Sequence, residues 1–136
     1  MSVRVAERSP GKLDAQVKVE DLIVHTLRIT SNESVFDPKY RALTDRVIDC
    51  AVGIGQDVWE ANNIRVQVGD RSWPTRHGLQ RRAIRQLNVL LYLMTLCRRA
   101  FHLRERKYAH WAELATDAKQ LLMKWRDSDV RRYGRL

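Results

Sequence analysis

Apolar residues recur at helical spacing along most of this chain. The clearest stretch runs from Leu79 to Leu103, where apolar positions alternate by three and four and so share one helical face. This predicted core stripe consists of Leu79, Ala83, Leu87, Leu90, Met94, Cys97 and Phe101. A second apolar set lies well away from the stripe and consists of Val89, Tyr92, Leu93 and Leu96. A helix that is apolar on two sides must be covered on both. We therefore expect the second set to form the interface of a homo-oligomer.

Two helices are predicted before this stretch. The first covers Val17–Ser31, and its expected inward-facing residues are Leu22, Ile23, Leu27 and Thr30. The second covers Pro38–Asn63, because Asp37 is a natural N-cap and a proline suits the first helical position, where its missing N–H costs nothing. Its expected core residues are Tyr40, Leu43, Val47, Ala51, Ile54, Val58 and Ala61.

Two glycines lie in the middle of the second helix. Gly53 and Gly55 have neither the strand before them nor the third glycine of a dinucleotide-binding loop. We expect them instead to permit the close approach of a neighbouring helix, at about 1 kcal/mol of helix propensity each. After this helix, Ile64–His77 is predicted to be a long connection that contains a short extended piece, Arg65–Val68.

The chain from Leu79 to Tyr133 contains neither glycine nor proline, yet its apolar phase changes. A second stripe runs through Trp111, Leu114, Ala118, Leu121 and Trp125. It is rotated by roughly a third of a turn from the first stripe, so one straight helix cannot bury both. We therefore predict a break near His102–Arg106 and a fourth helix over Glu105–Asp127.

Four amphipathic helices in sequence favour an all-α fold, an up-and-down antiparallel four-helix bundle. The predicted organisation is a flexible basic arm at 1–16, the bundle at 17–128 and a basic C-terminal tail at 129–136. The tryptophans Trp111 and Trp125 are expected in the core. Trp73, beside Pro74, has two interpretations, of which anchoring the loop is favoured over stacking on a base.

The charge of the chain is strongly polarised within this fold. The 136 residues carry a formal net charge of +9, with a pI near 10.2. The topology places residues 1–18, 64–85 and 124–136 at one end of the bundle. These residues hold fifteen Lys and Arg against five Asp and Glu, so the rest of the chain has a net charge of −1. Concentrated positive charge favours a polyanion such as RNA or DNA. The candidate contacts are Arg65, Arg71, Arg76, Arg81, Arg82, Arg85, Lys124, Arg126, Arg131, Arg132 and Arg135.

Arg81, Arg82 and Arg85 are the sharpest candidates among these residues. Three arginines at the start of a helix predicted from Leu79 would oppose its dipole, at about 0.3–1 kcal/mol per exposed charge. This cost favours a functional contact with a polyanion. The alternative is that the three arginines pair with acidic residues of a neighbouring subunit.

Catalytic and metal-binding patterns are not found in the sequence. The histidines His25, His77, His102 and His110 have no metal-ligand spacing, and two cysteines make neither a disulfide framework nor a zinc site. We expect no enzyme, metal or cofactor, and we expect Cys50 and Cys97 to be reduced core thiols. The polar N-terminus is not typical of a signal peptide, and no apolar run is long enough for a membrane span, so a cytoplasmic protein is expected.

Three segments carry a resemblance to a known family. Segment 36–63 is FDPKYRALTDRVIDCAVGIGQDVWEANN, which looks like the family pattern of an F-P-K turn, an R-x-x-L helix start and an E-A-N helix end. Segment 81–97 reads R-x-x-I-R-x-L-x-x-L-x-x-L-x-x-L-C. Segment 107–125 contains W-x-E-L and ends in L-x-x-W. In these motifs, over about 20–128, the chain resembles the accessory variability determinant (Avd) proteins of diversity-generating retroelements. Proteins encoded in intervening sequences of bacterial 23S ribosomal RNA genes are similar.

The resemblance implies a pentameric barrel of four-helix bundles that binds nucleic acid and associates with the retroelement's reverse transcriptase. Such a complex copies a template RNA with errors at adenines, and the accessory protein is not itself a catalyst. The leading hypothesis is therefore a non-catalytic accessory subunit that supports mutagenic cDNA synthesis. Two alternatives remain, namely a basic bundle of the intervening-sequence type with no polymerase partner and a purely structural interaction module.

Overall fold

The computed structural model describes residues 12–136, with side chains from Asp14 onward, and this part of the chain contains helices and no strand. The first α-helix, α1, covers Lys12–Thr30. A single 3-10 turn at Pro38–Tyr40 leads into α2, Arg41–Asn62. The remaining helices are α3, Ser72–Ala100, and α4, Glu105–Tyr133.

Each helix packs against two of the others, so that the four surround a common core. α1 contacts α2 and α4, and α3 contacts the same two helices. Side-chain contacts show that neighbours run in opposite directions, because the end of one helix meets the start of the next. Gln16 with Asn62 and Arg76 with Asp129 are such contacts. Between α2 and α3, Cys50 meets Gln86 while the later residue Asp57 meets the earlier Arg82. The architecture is a four-helix bundle, as the sequence pattern predicted.

The core is built from the predicted stripes, with three corrections. Every residue of the stripe on α3 is buried except Leu79, which is partly buried against the core. Leu93, assigned to the second apolar face, is only 6% exposed and belongs to the core. Leu27 and Tyr40 were predicted to be buried but are 44% and 45% exposed. Leu27 lies at the margin of its helical stripe, where a shift of a few tens of degrees turns a side chain outward. Tyr40 belongs to the 3-10 turn before α2, whose residues do not follow the α-helical spacing.

Three helices are longer than the pattern predicted. α1 begins at Lys12 rather than at Val17, so only residues 1–11 of the predicted arm lie outside the described residues. α3 begins at Ser72, which shortens the long connection to 63–71 and leaves no extended strand in it. Pro74 is tolerated because it falls in the first turn, where N–H groups have no helical partner. α4 continues to Tyr133, through most of the predicted tail.

The predicted break between the third and fourth helices is confirmed. α3 ends at Ala100, and the Leu103 N–H donates to the Arg98 carbonyl across the turn, a Schellman arrangement. His102 occupies the left-handed position of this motif, with φ of 53°. Glycine is the usual residue at that position, and histidine is one of the few alternatives that adopt it.

The two glycines of α2 differ in their surroundings. A Cβ added at Gly55 would lie 2.5 Å from Cδ1 of Ile23, so α1 does approach closely there. At Gly53 nothing lies within 4 Å of the added Cβ, and the expectation of close helix approach is wrong for that residue. Asp37 is a cap as predicted, since its side chain accepts the Lys39 N–H at 3.0 Å, but it caps the 3-10 turn and not α2, which begins at Arg41.

Candidate nucleic-acid interface

The basic end of the bundle comprises residues 14–18, 63–85 and 124–136. The contact between Arg76 and Asp129 sets the register of α3 against α4. Because antiparallel helices rise equally per residue, Arg81 lies level with Lys124 in that register. Nine of the eleven predicted cations are exposed here, namely Arg65, Arg71, Arg81, Arg82, Arg85, Lys124, Arg131, Arg132 and Arg135. The fold therefore gathers positive charge from two helices and one connection.

Arg76 is a correction to the predicted interface, because it is buried. Its Nε donates to Asp129 Oδ2 at 2.7 Å, and Nη1 donates to the Ile64 carbonyl at 3.0 Å. Gln80 donates to the same oxygen of Asp129 at 2.7 Å, and the guanidinium lies 5.4 Å from the centre of the Trp125 ring. Arg76 thus ties α3, α4 and the 63–71 connection together and is not available to a ligand.

Arg82 has a partner inside its own chain. Its guanidinium donates to both carboxylate oxygens of Asp57 on α2, at 3.0 and 2.6 Å. The hydrogen bond and the charge of Asp57 raise the pKa of Arg82. The carboxylate is 7% exposed, so this bidentate pair is part of the contact between α2 and α3. Its positive charge is largely neutralised, and the acid that pairs with it does not come from another subunit.

Arg126 is also paired, since Nε and Nη2 donate to Asp127 Oδ1 at 3.0 and 2.9 Å. Arg81 and Arg85 differ, because neither forms an ion pair with any carboxylate of residues 12–136. The predicted cost of opposing the helix dipole does not apply to these two arginines. α3 begins at Ser72, so both arginines lie beyond the first turn, within which the dipole acts.

Trp73 anchors the loop rather than presenting a surface for a base. It is 7% exposed, its ring stacks on His77 with centroids 4.8 Å apart, and it tilts against Tyr133 at 5.7 Å. The start of α3 is thereby packed against the end of α4. Asp70 is the exposed carboxylate of this connection, and hydrogen bonds from Ser72 lower its pKa.

The predicted oligomer face is smaller than the sequence suggested. Val89 and Tyr92 are 40% and 62% exposed, but Leu93 is in the core and Leu96 is partly buried against it. Further exposed apolar residues, which the sequence pattern did not indicate, lie on α1 and α2. They are Val17, Val24, Leu27, Val52 and Trp59. An available signal was the position of Trp59 outside the core stripe of α2.

No arrangement typical of a metal site or a disulfide occurs in residues 12–136. No three potential ligands among His, Cys, Asp and Glu come together there. Cys50 and Cys97 are free thiols, and burial raises the pKa of Cys97 to about 12. Within the same residues, no helix combines the length and the apolar character that a membrane span requires.

The fold and the charge distribution define this protein as a basic four-helix bundle. Comparisons of the chain with protein-family models, curated proteins and solved structures found no match.

Proposed function

We propose that this protein is a non-catalytic nucleic-acid-binding protein whose basic end contacts the phosphate backbone of RNA or DNA. The observation that carries the proposal is that Arg81 and Arg85 are exposed and form no ion pair with a described carboxylate, at the end of the bundle that also carries Lys124. Arginines that served only stability would gain from nearby acids, as Arg76 and Arg82 do. Contacts to phosphate release counterions and need no base-specific geometry, which suits a surface of exposed arginines.

The biological role that we propose is that of an accessory subunit of a diversity-generating retroelement's reverse transcriptase. The motifs at 36–63, 81–97 and 107–125 support this role through their resemblance to Avd proteins. In this role the basic end holds template RNA or cDNA while the polymerase copies the template with errors. The proposed partners are thus a reverse transcriptase and nucleic acid.

We also propose that the protein acts as a homo-oligomer, with five subunits implied by the resemblance. The exposed apolar residues of α1 and α2, together with Val89 and Tyr92 on α3, support an oligomer because isolated domains rarely expose such surfaces together. Light scattering on a sizing column measures the subunit number. A monomer at micromolar concentration would refute this part of the proposal.

The nucleic-acid contact is tested with the double variant Arg81→Gln and Arg85→Gln. The matched control is Arg99→Gln with Arg106→Gln, which removes two exposed arginines from the same two-helix layer at its other end. Binding of a labelled single-stranded RNA is measured by anisotropy between about 50 and 200 mM salt, a range over which several phosphate contacts change affinity by orders of magnitude. The double variant should bind more weakly and reduce the salt slope by about 2, whereas the control should change neither.

Equal losses in the variant and its control would show that only total charge matters and would contradict a defined surface. The role with a polymerase is tested by co-purification with a reverse transcriptase encoded beside the gene. Salt-dependent RNA binding without such a partner would favour the intervening-sequence type. Absence of nucleic-acid binding would leave the structural interaction module.

A further inference from the structure

A second cationic site lies at the opposite end of the bundle, where α1 ends and α3 turns into α4. A cavity of about 750 Å³ opens there between α1, the connection at 31–37 and the turn at 101–104. Its volume lies within the range of about 300–1,000 Å³ that is typical of small-molecule sites.

Among the residues that the structure describes, those that form the wall of this cavity carry positive charge and include no carboxylate. Arg28, Arg104 and Lys107 line it, as do the imidazoles of His25 and His102. None of the three permanent cations forms an ion pair with a carboxylate within residues 12–136. Cations gathered around one space without a counter-charge repel one another, so their arrangement favours an anion between them.

Two further features of the wall concern its histidines, His25 and His102. His25 meets His110 edge to face with centroids 4.9 Å apart, and burial, His110 and Arg28 all lower the pKa of His25. Burial is the largest of these causes, and the charges of His110 and Arg28 add to it. His102 holds the left-handed conformation that glycine adopts more readily, at a cost of order 1 kcal/mol. This position places an imidazole on the wall where glycine would leave none.

The deeper side of the cavity is apolar. Phe36, Phe101 and Trp111 form it, and their rings pack against one another with the Phe36 centroid 4.7 Å from that of Phe101 and 6.3 Å from that of Trp111. Cations at the rim and aromatic rings behind them suit a ligand that has a phosphate at one end and a flat ring at the other.

We infer that this cavity binds a phosphorylated nucleotide, with Arg28, Arg104 and Lys107 on the phosphate and the base toward the apolar side. The ligand is either a free mononucleotide or the phosphorylated terminal nucleotide of an RNA or DNA chain. Both present the same phosphate monoester and the same ring. The inference does not rest on the basic end, which lies at the other end of the helices.

The test measures binding of AMP, GMP, inorganic phosphate and a short oligonucleotide with and without a 5′-phosphate, by calorimetry and by the imidazole NMR signals of the protein. The variant is Arg28→Gln with Lys107→Gln. The matched control is Arg106→Gln, which removes an exposed charge one residue from Lys107 without touching the cavity. Circular dichroism verifies that each variant is folded.

Wild-type protein should bind a mononucleotide or the 5′-phosphorylated oligonucleotide saturably, with shifts at His25 and His102. The double variant should lose at least about tenfold in affinity, since a charged hydrogen bond contributes about one power of ten. The control should stay within about twofold of wild type, a difference of less than half a kcal/mol.

Preference for the oligonucleotide over free nucleotides identifies the chain terminus as the source, and the reverse identifies a free nucleotide. Inorganic phosphate that competes as well as any nucleotide would overturn recognition of the ring. No saturable binding, or a loss that appears in Arg81→Gln with Arg85→Gln instead, would overturn the site itself. The nucleic-acid function proposed for the basic end would stand in either case.

Discussion

Removal of Arg76 tests whether this arginine stabilises the fold without contacting nucleic acid, unlike the exposed arginines near it. The proposed change is Arg76→Met, which keeps the length of the apolar stem but deletes the guanidinium. Arg76 is 6% exposed in its side chain and Asp129 is fully buried, so the variant removes a guanidinium that pairs with a buried carboxylate. It also removes the hydrogen bond to the Ile64 carbonyl, which holds the 63–71 connection.

The expected loss follows from the burial of this pair. Removing one partner of a buried ion pair costs about 3–5 kcal/mol. Gln80 still donates to Asp129, which places the expected loss near about 3 kcal/mol, or roughly 10 °C in melting temperature for a chain of this size. The double variant Arg76→Met with Asp129→Asn should recover at least half of the loss, because the neutral amide still accepts from Gln80 and needs no counter-charge.

The measurement is urea unfolding followed by circular dichroism, with RNA anisotropy on the folded protein. Arg41→Met is the control, since it breaks an exposed ion pair with Glu33 and should cost no more than about 1 kcal/mol. RNA affinity of folded Arg76→Met should match wild type. A variant that unfolds at the wild-type urea concentration but loses RNA affinity would show that Arg76 faces the ligand, and the structural role would be wrong.

Three further predictions concern packing and the thiols. Gly53→Ala should raise the free energy of unfolding by about 1 kcal/mol, because the helix gains propensity and no described atom outside the helix backbone blocks the methyl group. Gly55→Ala should raise the free energy of unfolding by less, because the methyl group would meet Ile23 of α1. Thermal unfolding compares the two variants, and a larger gain at Gly55 would contradict the close approach of α1. The buried Trp111 indole N–H donates to the Thr26 hydroxyl at 3.0 Å. Thr26→Val removes this acceptor and should lower the free energy of unfolding, measured in urea, by about 1–3 kcal/mol. An unchanged midpoint would show that this hydrogen bond is dispensable. Cys97 should resist a thiol reagent at pH 8 until the protein unfolds, since burial raises its pKa to about 12 and the thiolate is the reactive form. Mass spectrometry of the modified residue measures the labelling. Rapid labelling of the native protein would refute the prediction.

Local periodicity was enough to predict the number of helices and most of the core. The stripe on α3 and the phase change before α4 are properties of neighbouring residues, so they are readable without tertiary contacts. The helix ends were less well predicted. The additional turns of α3 and α4 are held by Trp73 against Tyr133 and by Arg76 against Asp129, contacts between residues far apart in the chain.

The sequence by itself determined that this protein is a helical bundle with its positive charge concentrated at one end. The tertiary structure alone decided which cations are free. Arg76 and Arg82 look like Arg81 in the sequence, but their carboxylate partners lie 53 and 25 residues away. Arg28 and Lys107 come from separate helices, and only the antiparallel packing of α1 and α4 brings them to one cavity. Charge composition is a sum over residues, whereas the pairing and burial of each charge depend on which distant side chain the fold places beside it.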